Sequence, residues 1–143
     1  MSGCCKSEAQ MKKHFSLWLV AGVVLVFAVG VSAGDLGTKG KAWFDPHNEP
    51  AAVNVNGNWY DKEWGKVVLN QAEGSREVTG KGDGWDITGV VSSKQVFLLF
   101  SHHERVNYSA QLTLEADGRL NGSYSKGFMK DKTKGRSMHL TKQ

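Results

Sequence analysis

The sequence predicts an all-β domain, an antiparallel up-and-down barrel of about eight strands, preceded by an N-terminal signal or hydrophobic helix and an irregular leader. Three observations predict it. From Gly57 onward, short segments alternate apolar and polar residues, the period of a strand with one buried face. Turn residues rich in glycine separate these segments at roughly 8–12-residue spacing, with no helical period between them. All links but the last are short, so neighbours pair antiparallel and in sequence. A sequential meander favours a closed barrel, which also removes exposed sheet edges.

The first element is the hydrophobic N-terminus. Lys12, Lys13 and His14 precede an apolar run over residues 15–31, and Val31-Ser32-Ala33 supplies small residues before Gly34. A basic stretch, an apolar stretch and a small-residue cleavage site read as a secretory signal peptide. Met11 opens this signal, which leaves residues 1–10 as an upstream mis-start or as part of a long segment ahead of the apolar run, so Met1 and Met11 are alternative starts. The competing reading is a retained membrane anchor, since residues 15–33 make about 19 residues, near bilayer-spanning length. The run ends in small residues and not in a positive stop-transfer patch, which favours cleavage and export to a periplasmic or extracellular destination. The expected organisation is therefore a signal peptide over 1–33, a leader over 34–56 and a barrel over 57–143.

Cys4 and Cys5 are the only cysteines, and both precede the apolar run. A chain cleaved after the signal would have none, which would exclude disulfides, thiolate catalysis and cysteine metal sites. The net charge is +4, and removal of Lys6, Lys12, Lys13 and Glu8 with the signal leaves the chain weakly basic. Weak charge and export together argue against a nucleic-acid partner. The leader holds both prolines, Pro46 and Pro50, among polar residues, and predicts little regular structure before Val53.

The predicted strands fall at 57–61, 65–72, 76–81, 85–91, 95–101, 106–114, 119–125 and 136–141. Residues 85–100 are the central hairpin. Trp85, Ile87, Gly89 and Val91 share one face, and a turn at Ser92-Ser93 sets Gly89 opposite Val96, Ile87 opposite Leu98 and Trp85 opposite Phe100. Val106, Tyr108, Ala110, Leu112 and Leu114 alternate with Asn107, Ser109, Gln111 and Thr113 in the clearest strand of the chain. Val78-Thr79-Gly80, Ile87-Thr88-Gly89 and Leu120-Asn121-Gly122 repeat an apolar–polar–glycine triplet that puts each glycine on the inward face. Such glycines either let a small barrel bend and admit an aromatic ring, or hollow the interior for a ligand.

Gly57-Asn58-Trp59-Tyr60-Asp61, then Gly65 and Val78-Thr79-Gly80-Lys81, resembles the opening of avidin and streptavidin, and residues 118–124 and 136–142 look like the closing hairpin of such calycin-type barrels. Lipocalins share a Gly-x-Trp near the same place. The resemblance implies an eight-stranded barrel that binds something at its open end. It does not imply biotin. The asparagine that contacts biotin in that family matches Asp61, the serine after the glycine matches Lys66, and no tryptophan follows Trp85 to wall the pocket.

The residues offer little for catalysis. His102-His103-Glu104 lies in a turn, where neighbouring side chains diverge, and His139 alternates with Met138 and Leu140 as a surface residue would. Asp83 sits in a Gly-Asp-Gly turn and Asp86 on an outward face, so they make a poor acid–base pair. No nucleophile elbow, phosphate loop or dinucleotide fingerprint occurs. The expectation is a non-enzymatic protein with no metal and no cofactor.

Two binding readings follow. In the first, Trp59, Trp85, Phe100, Tyr108 and Tyr124 line a site for a small apolar or amphipathic ligand, because aromatic rings give large apolar area and Tyr and Trp add a polar handle. In the second, the core is filled and the basic loop over 126–136 meets an anionic surface or an acidic protein, as an inhibitor-like or envelope module. There Lys126, Lys130, Lys132, Lys134 and Arg136 supply attraction while Phe128 and Met129 insert. Phe97 and Leu99 point outward on this pattern and leave about 1.5–3 kcal/mol each of burial unrealised. Either the Trp43-Phe44 pair of the leader covers them or a second subunit does, with the polar leader slightly favouring a homo-oligomer.

Overall fold

The alternation that begins at Gly57 closes on itself. In the computed structural model, which describes residues 36–143, the strands are β1 (Gly57–Asp61), β2 (Gly65–Asn70), β3 (Glu77–Gly82), β4 (Trp85–Ser92), β5 (Gln95–His102), β6 (Arg105–Leu114), β7 (Leu120–Lys126) and β8 (Arg136–Lys142). They pair antiparallel in sequence order as a closed barrel. Closure runs through Trp59 opposite Lys142 and Tyr60 opposite Thr141, extended by the Gln143 N–H donating to the Asn58 carbonyl at 2.9 Å. The signal or anchor segment, residues 1–33, lies outside the described residues.

One hairpin register differs from the sequence expectation. Gly89 faces Leu98, Ile87 faces Phe100 and Val91 faces Val96, a slip of two residues, and the turn is Ser93-Lys94 with Ser93 at φ +56°. The slip is even, so every side chain keeps its predicted face; a slip of one would have inverted them all.

The inward residues fill the barrel. Trp59, Val67, Leu69, Val78, Ile87, Val91, Val96, Leu98, Phe100, Ala110, Leu112, Leu120, Met138 and Leu140 form one buried cluster. The inward glycines do not hollow it. A Cβ on Gly80 would sit 2.1 Å from the Val68 carbonyl oxygen, one on Gly89 2.5 Å from that of Phe97, and one on Gly122 1.9 Å from that of Gln111. These positions are glycine because a neighbouring strand's backbone already occupies the space a side chain would need.

The leader is more ordered than its composition suggests. Thr38–Phe44 forms a short helix, α1, so the irregular segment begins only after it. The rest of the leader closes the end of the barrel where the β2–β3, β4–β5 and β6–β7 links lie. The Ser93 N–H donates to the Pro50 carbonyl at 3.0 Å and the Ala52 N–H to the Ser93 carbonyl at 2.9 Å. Val55 is fully buried, and its N–H donates to Gln71 Oε1 at 2.8 Å. Gln71 Nε2 in turn donates to the carbonyls of Val53 and Ser75, so one buried amide satisfies three backbone groups of the plug.

Outside the wall, Phe97 is covered from within the chain. The His47 ring stacks on it with centroids 3.6 Å apart, and Trp43 meets it edge-on at 5.9 Å. Trp43 Nε1 donates to the Met129 carbonyl at 2.8 Å, which ties the leader to the β7–β8 loop. Leu99 is fully buried too, between Thr88 and Ser109 in the sheet.

Candidate functional site

The β1–β2, β3–β4, β5–β6 and β7–β8 links share the end opposite the plug, and a cavity of about 690 Å³ opens there. Its construction starts at Asp61, the last residue of β1. Asp61 Oδ1 accepts the backbone N–H groups of Glu63 at 2.7 Å and Trp64 at 3.0 Å, and Oδ2 accepts that of His139 at 3.0 Å. An aspartate bonding the backbone two and three residues on shapes a tight turn. Gly65, at φ +69°, then redirects the chain into β2. This turn carries Glu63 and Trp64 to the mouth.

Trp64 lies at the centre of the aromatic packing. Its ring centroid is 4.5 Å from Phe100, 5.3 Å from Tyr108 and 5.0 Å from Tyr124, the two tyrosines standing at 90° and 89° to it. Trp85, delivered by the β3–β4 turn, stands perpendicular to Tyr108 at 5.5 Å. Edge-to-face geometry of this kind matches the positive edge of one ring to the negative face of another. Trp64, Trp85, Tyr108 and Tyr124 line the cavity, above a floor that Phe100 supports. The Trp64 indole N–H is buried with no hydrogen-bond partner among the described residues, an arrangement that costs about 1–3 kcal/mol.

The rim is polar and mostly cationic, with Glu63, Ser125, Lys126, Lys134 and Arg136 lining the same cavity. Tyr124 Oη donates to Glu63 Oε2 at 2.8 Å. Burial, and then the bond to Glu63, raises the Tyr124 phenol above its ordinary value, against an opposing effect of Arg136. Tyr124 first, and the charge of Glu63 with it, raises the Arg136 guanidinium still further above its ordinary value.

Of the five aromatic residues predicted to line a site, Trp85, Tyr108 and Tyr124 line the cavity. Phe100 lies beneath it, fully buried, and Trp59 is 1% exposed in the core, with its indole N–H donating to the Val55 carbonyl at 2.9 Å. The basic loop divides in two. Lys126, Lys134 and Arg136 reach the mouth, whereas Lys132 lines an outer groove beside Gln111 and Asn121 and Lys130 is exposed. Met129 is not available to insert into a partner: it is 4% exposed, its N–H donates to Ser109 Oγ at 2.6 Å, and its carbonyl accepts from Trp43. Phe128 is half-buried, 6.5 Å from the Trp43 ring. The loop is folded onto the wall because Met129 is an anchor.

Sequence reasoning missed Glu63 and Trp64. The available signal was Asp61 two and three residues before them, a side chain suited to capping a turn at the end of a strand. The His102-His103-Glu104 turn is exposed, with His103 and Glu104 at positive φ. Among the described residues, no group of three His, Cys, Asp or Glu is placed to hold a metal ion. Asp86 instead pairs with Lys81, which holds its carboxyl below the usual carboxylate range.

Compared with protein-family models, curated proteins and solved structures, the chain matches none.

Proposed function

We propose that this protein is an exported, non-enzymatic binding protein whose barrel mouth takes a small amphipathic molecule. The observation that carries this reading is the cup of Trp64, Trp85, Tyr108 and Tyr124 at the open end of an otherwise filled barrel. Ligand sites are concave and mostly apolar with a few polar groups, and a cavity of about 690 Å³ is of the size that encloses one small molecule. The closed barrel with Gly57-Asn58-Trp59 on its first strand is in keeping with the avidin-like and lipocalin-like resemblance, and with binding at an open end. Export rests on the signal-like residues 12–33.

Native mass spectrometry of protein purified from its natural host tests the reading. A bound small molecule that is lost on Trp64→Ala and Tyr124→Ala substitution is the expected result. A bare chain whose tryptophan fluorescence no aromatic or acyl probe alters overturns it.

A further inference from the structure

We infer that the ligand of the mouth carries an anionic group, a carboxylate, sulfonate or phosphate, held at the rim by Lys126, Lys134 and Arg136 while a flat apolar body rests on the aromatic cup. This inference rests on the proposed binding role of the cup and adds the charge of what enters it.

The rim is built from two segments that meet at one place. Lys126 ends β7. Lys134 and Arg136 are brought alongside by the loop, which Met129 pins to the wall and which Asp131 shapes by accepting the Thr133 N–H at 2.9 Å and its hydroxyl at 2.7 Å. Gly135, between the two cations, runs so close to β7 that a Cβ would lie 2.8 Å from the Tyr124 carbonyl oxygen. A side chain there would lift the loop off the strand and carry Lys134 and Arg136 with it.

Charge then decides the ligand class. Three cations and one acid line the cavity. The acid, Glu63, already accepts the Tyr124 hydroxyl at 2.8 Å and lies in the field of Arg136. Neither Lys126 nor Lys134 has a carboxylate partner among the described residues. Rings at right angles would also suit an organic cation. Here, however, Trp64 fills the space between the rings, 4.5 Å from Phe100, and an incoming cation would meet a rim of its own sign. An anion meets long-range attraction from the rim and apolar contact from the cup.

Isothermal titration of the full chain with 2-naphthoate, 2-naphthylmethanol and 2-naphthylmethylammonium separates the possibilities, because the three share one apolar body. At low salt the anion should bind about tenfold tighter than the alcohol, and the advantage should shrink to about twofold at about 0.5 M salt, where exposed charges are screened. Lys126→Gln with Lys134→Gln should bring the ratio of anion to alcohol affinity toward one; Arg136→Gln should do the same. An alcohol or ammonium that binds as tightly as naphthoate at low salt overturns the inference and leaves the cup as a binding site. Absence of binding by all three overturns the cup and this inference together. Inorganic phosphate titrated alone distinguishes a site for a bare anion: phosphate binding as tightly as naphthoate would show that the apolar body contributes nothing, and would also overturn the inference.

Discussion

Asp61 accepts the backbone N–H of Trp64 at 3.0 Å with one carboxylate oxygen and that of His139 at 3.0 Å with the other. The same side chain therefore shapes the β1–β2 turn and joins β1 to β8. The two strands share a ladder at Trp59–Lys142 and Tyr60–Thr141, and Asp61 continues the connection where that ladder ends. The mouth is thus both aromatic and fixed, because the turn that carries Trp64 is bound to the strand that carries Arg136.

Asp61 is 7% exposed and accepts three backbone N–H groups in all. Asparagine keeps the shape but has one acceptor oxygen, and its amide would confront a backbone donor with another donor. Asp61→Asn should destabilise the barrel by about 1–3 kcal/mol, and Asp61→Ala by at least as much, since three partly buried N–H groups lose their partner. Urea denaturation gives the cost. Probe affinity at the mouth should fall in the same variants, because the Trp64 turn loosens with them.

The two tryptophans of the first hairpin should respond unequally to loss of their N–H. Trp59 donates to the Val55 carbonyl at 2.9 Å in the core, and Trp64 Nε1 is buried without a partner among the described residues. Trp59→Phe orphans the Val55 carbonyl and leaves a gap, at a cost of about 2–4 kcal/mol. Trp64→Phe also gives up ring contact, but beside an open cavity, and it removes an unpaired donor, so its net cost should stay below about 1 kcal/mol. Equal losses in urea midpoint for the two variants would show that the Trp64 donor is satisfied in solution.

The strands were legible because alternation and glycine turns are local signals. The 106–114 prediction differs from β6 (Arg105–Leu114) by one residue. Register was less legible, since alternation fixes the face of a side chain and is blind to an even slip, and the β4–β5 hairpin differs from its predicted pairing by such a slip. Trp64 carried no periodic signal because it stands alone in a turn. In the sequence the aromatic and basic candidates stand as rival sites, because only the three-dimensional return of residues 134–136 to β7 brings Lys134 and Arg136 to Tyr124. The leader's cover over Phe97 was one of two options in the sequence; Trp43 and His47 supply it within the chain.

Gly122 tests why the inward glycines are there. If they hollowed the barrel, alanine would fit with little strain. Its Cβ would instead lie 1.9 Å from the Gln111 carbonyl oxygen and 2.8 Å from Leu112 Cα, both on β6, so the strands must separate. Gly122→Ala should cost about 1–3 kcal/mol or more by overpacking. The readout is the urea midpoint together with the amide exchange of the Gln111 region. A variant as stable as wild type would restore the hollow interior as the explanation.

The stack of His47 on Phe97 makes the leader's docking sensitive to acid. Burial lowers the His47 ring below its ordinary value of 6.5. The unfolded chain therefore binds a proton more readily than the folded one just below that pH, and stability must rise with pH across the window. The contribution is fully present above about pH 6.5 and is lost as pH falls from there through the lowered folded value. Asp86 and Asp131 are also shifted, but downward from 3.8, so they act at more acid pH and leave this window to histidine. Urea midpoints at pH 7.5 and 5.5 should drop for the wild type and drop less for His47→Gln. Accessibility of Trp43 to a neutral quencher should rise over the same interval in the wild type, because the ring that packs beside it on Phe97 is the one that charges. Parallel losses in the two proteins would assign the acid sensitivity to another group and leave the stack as packing alone.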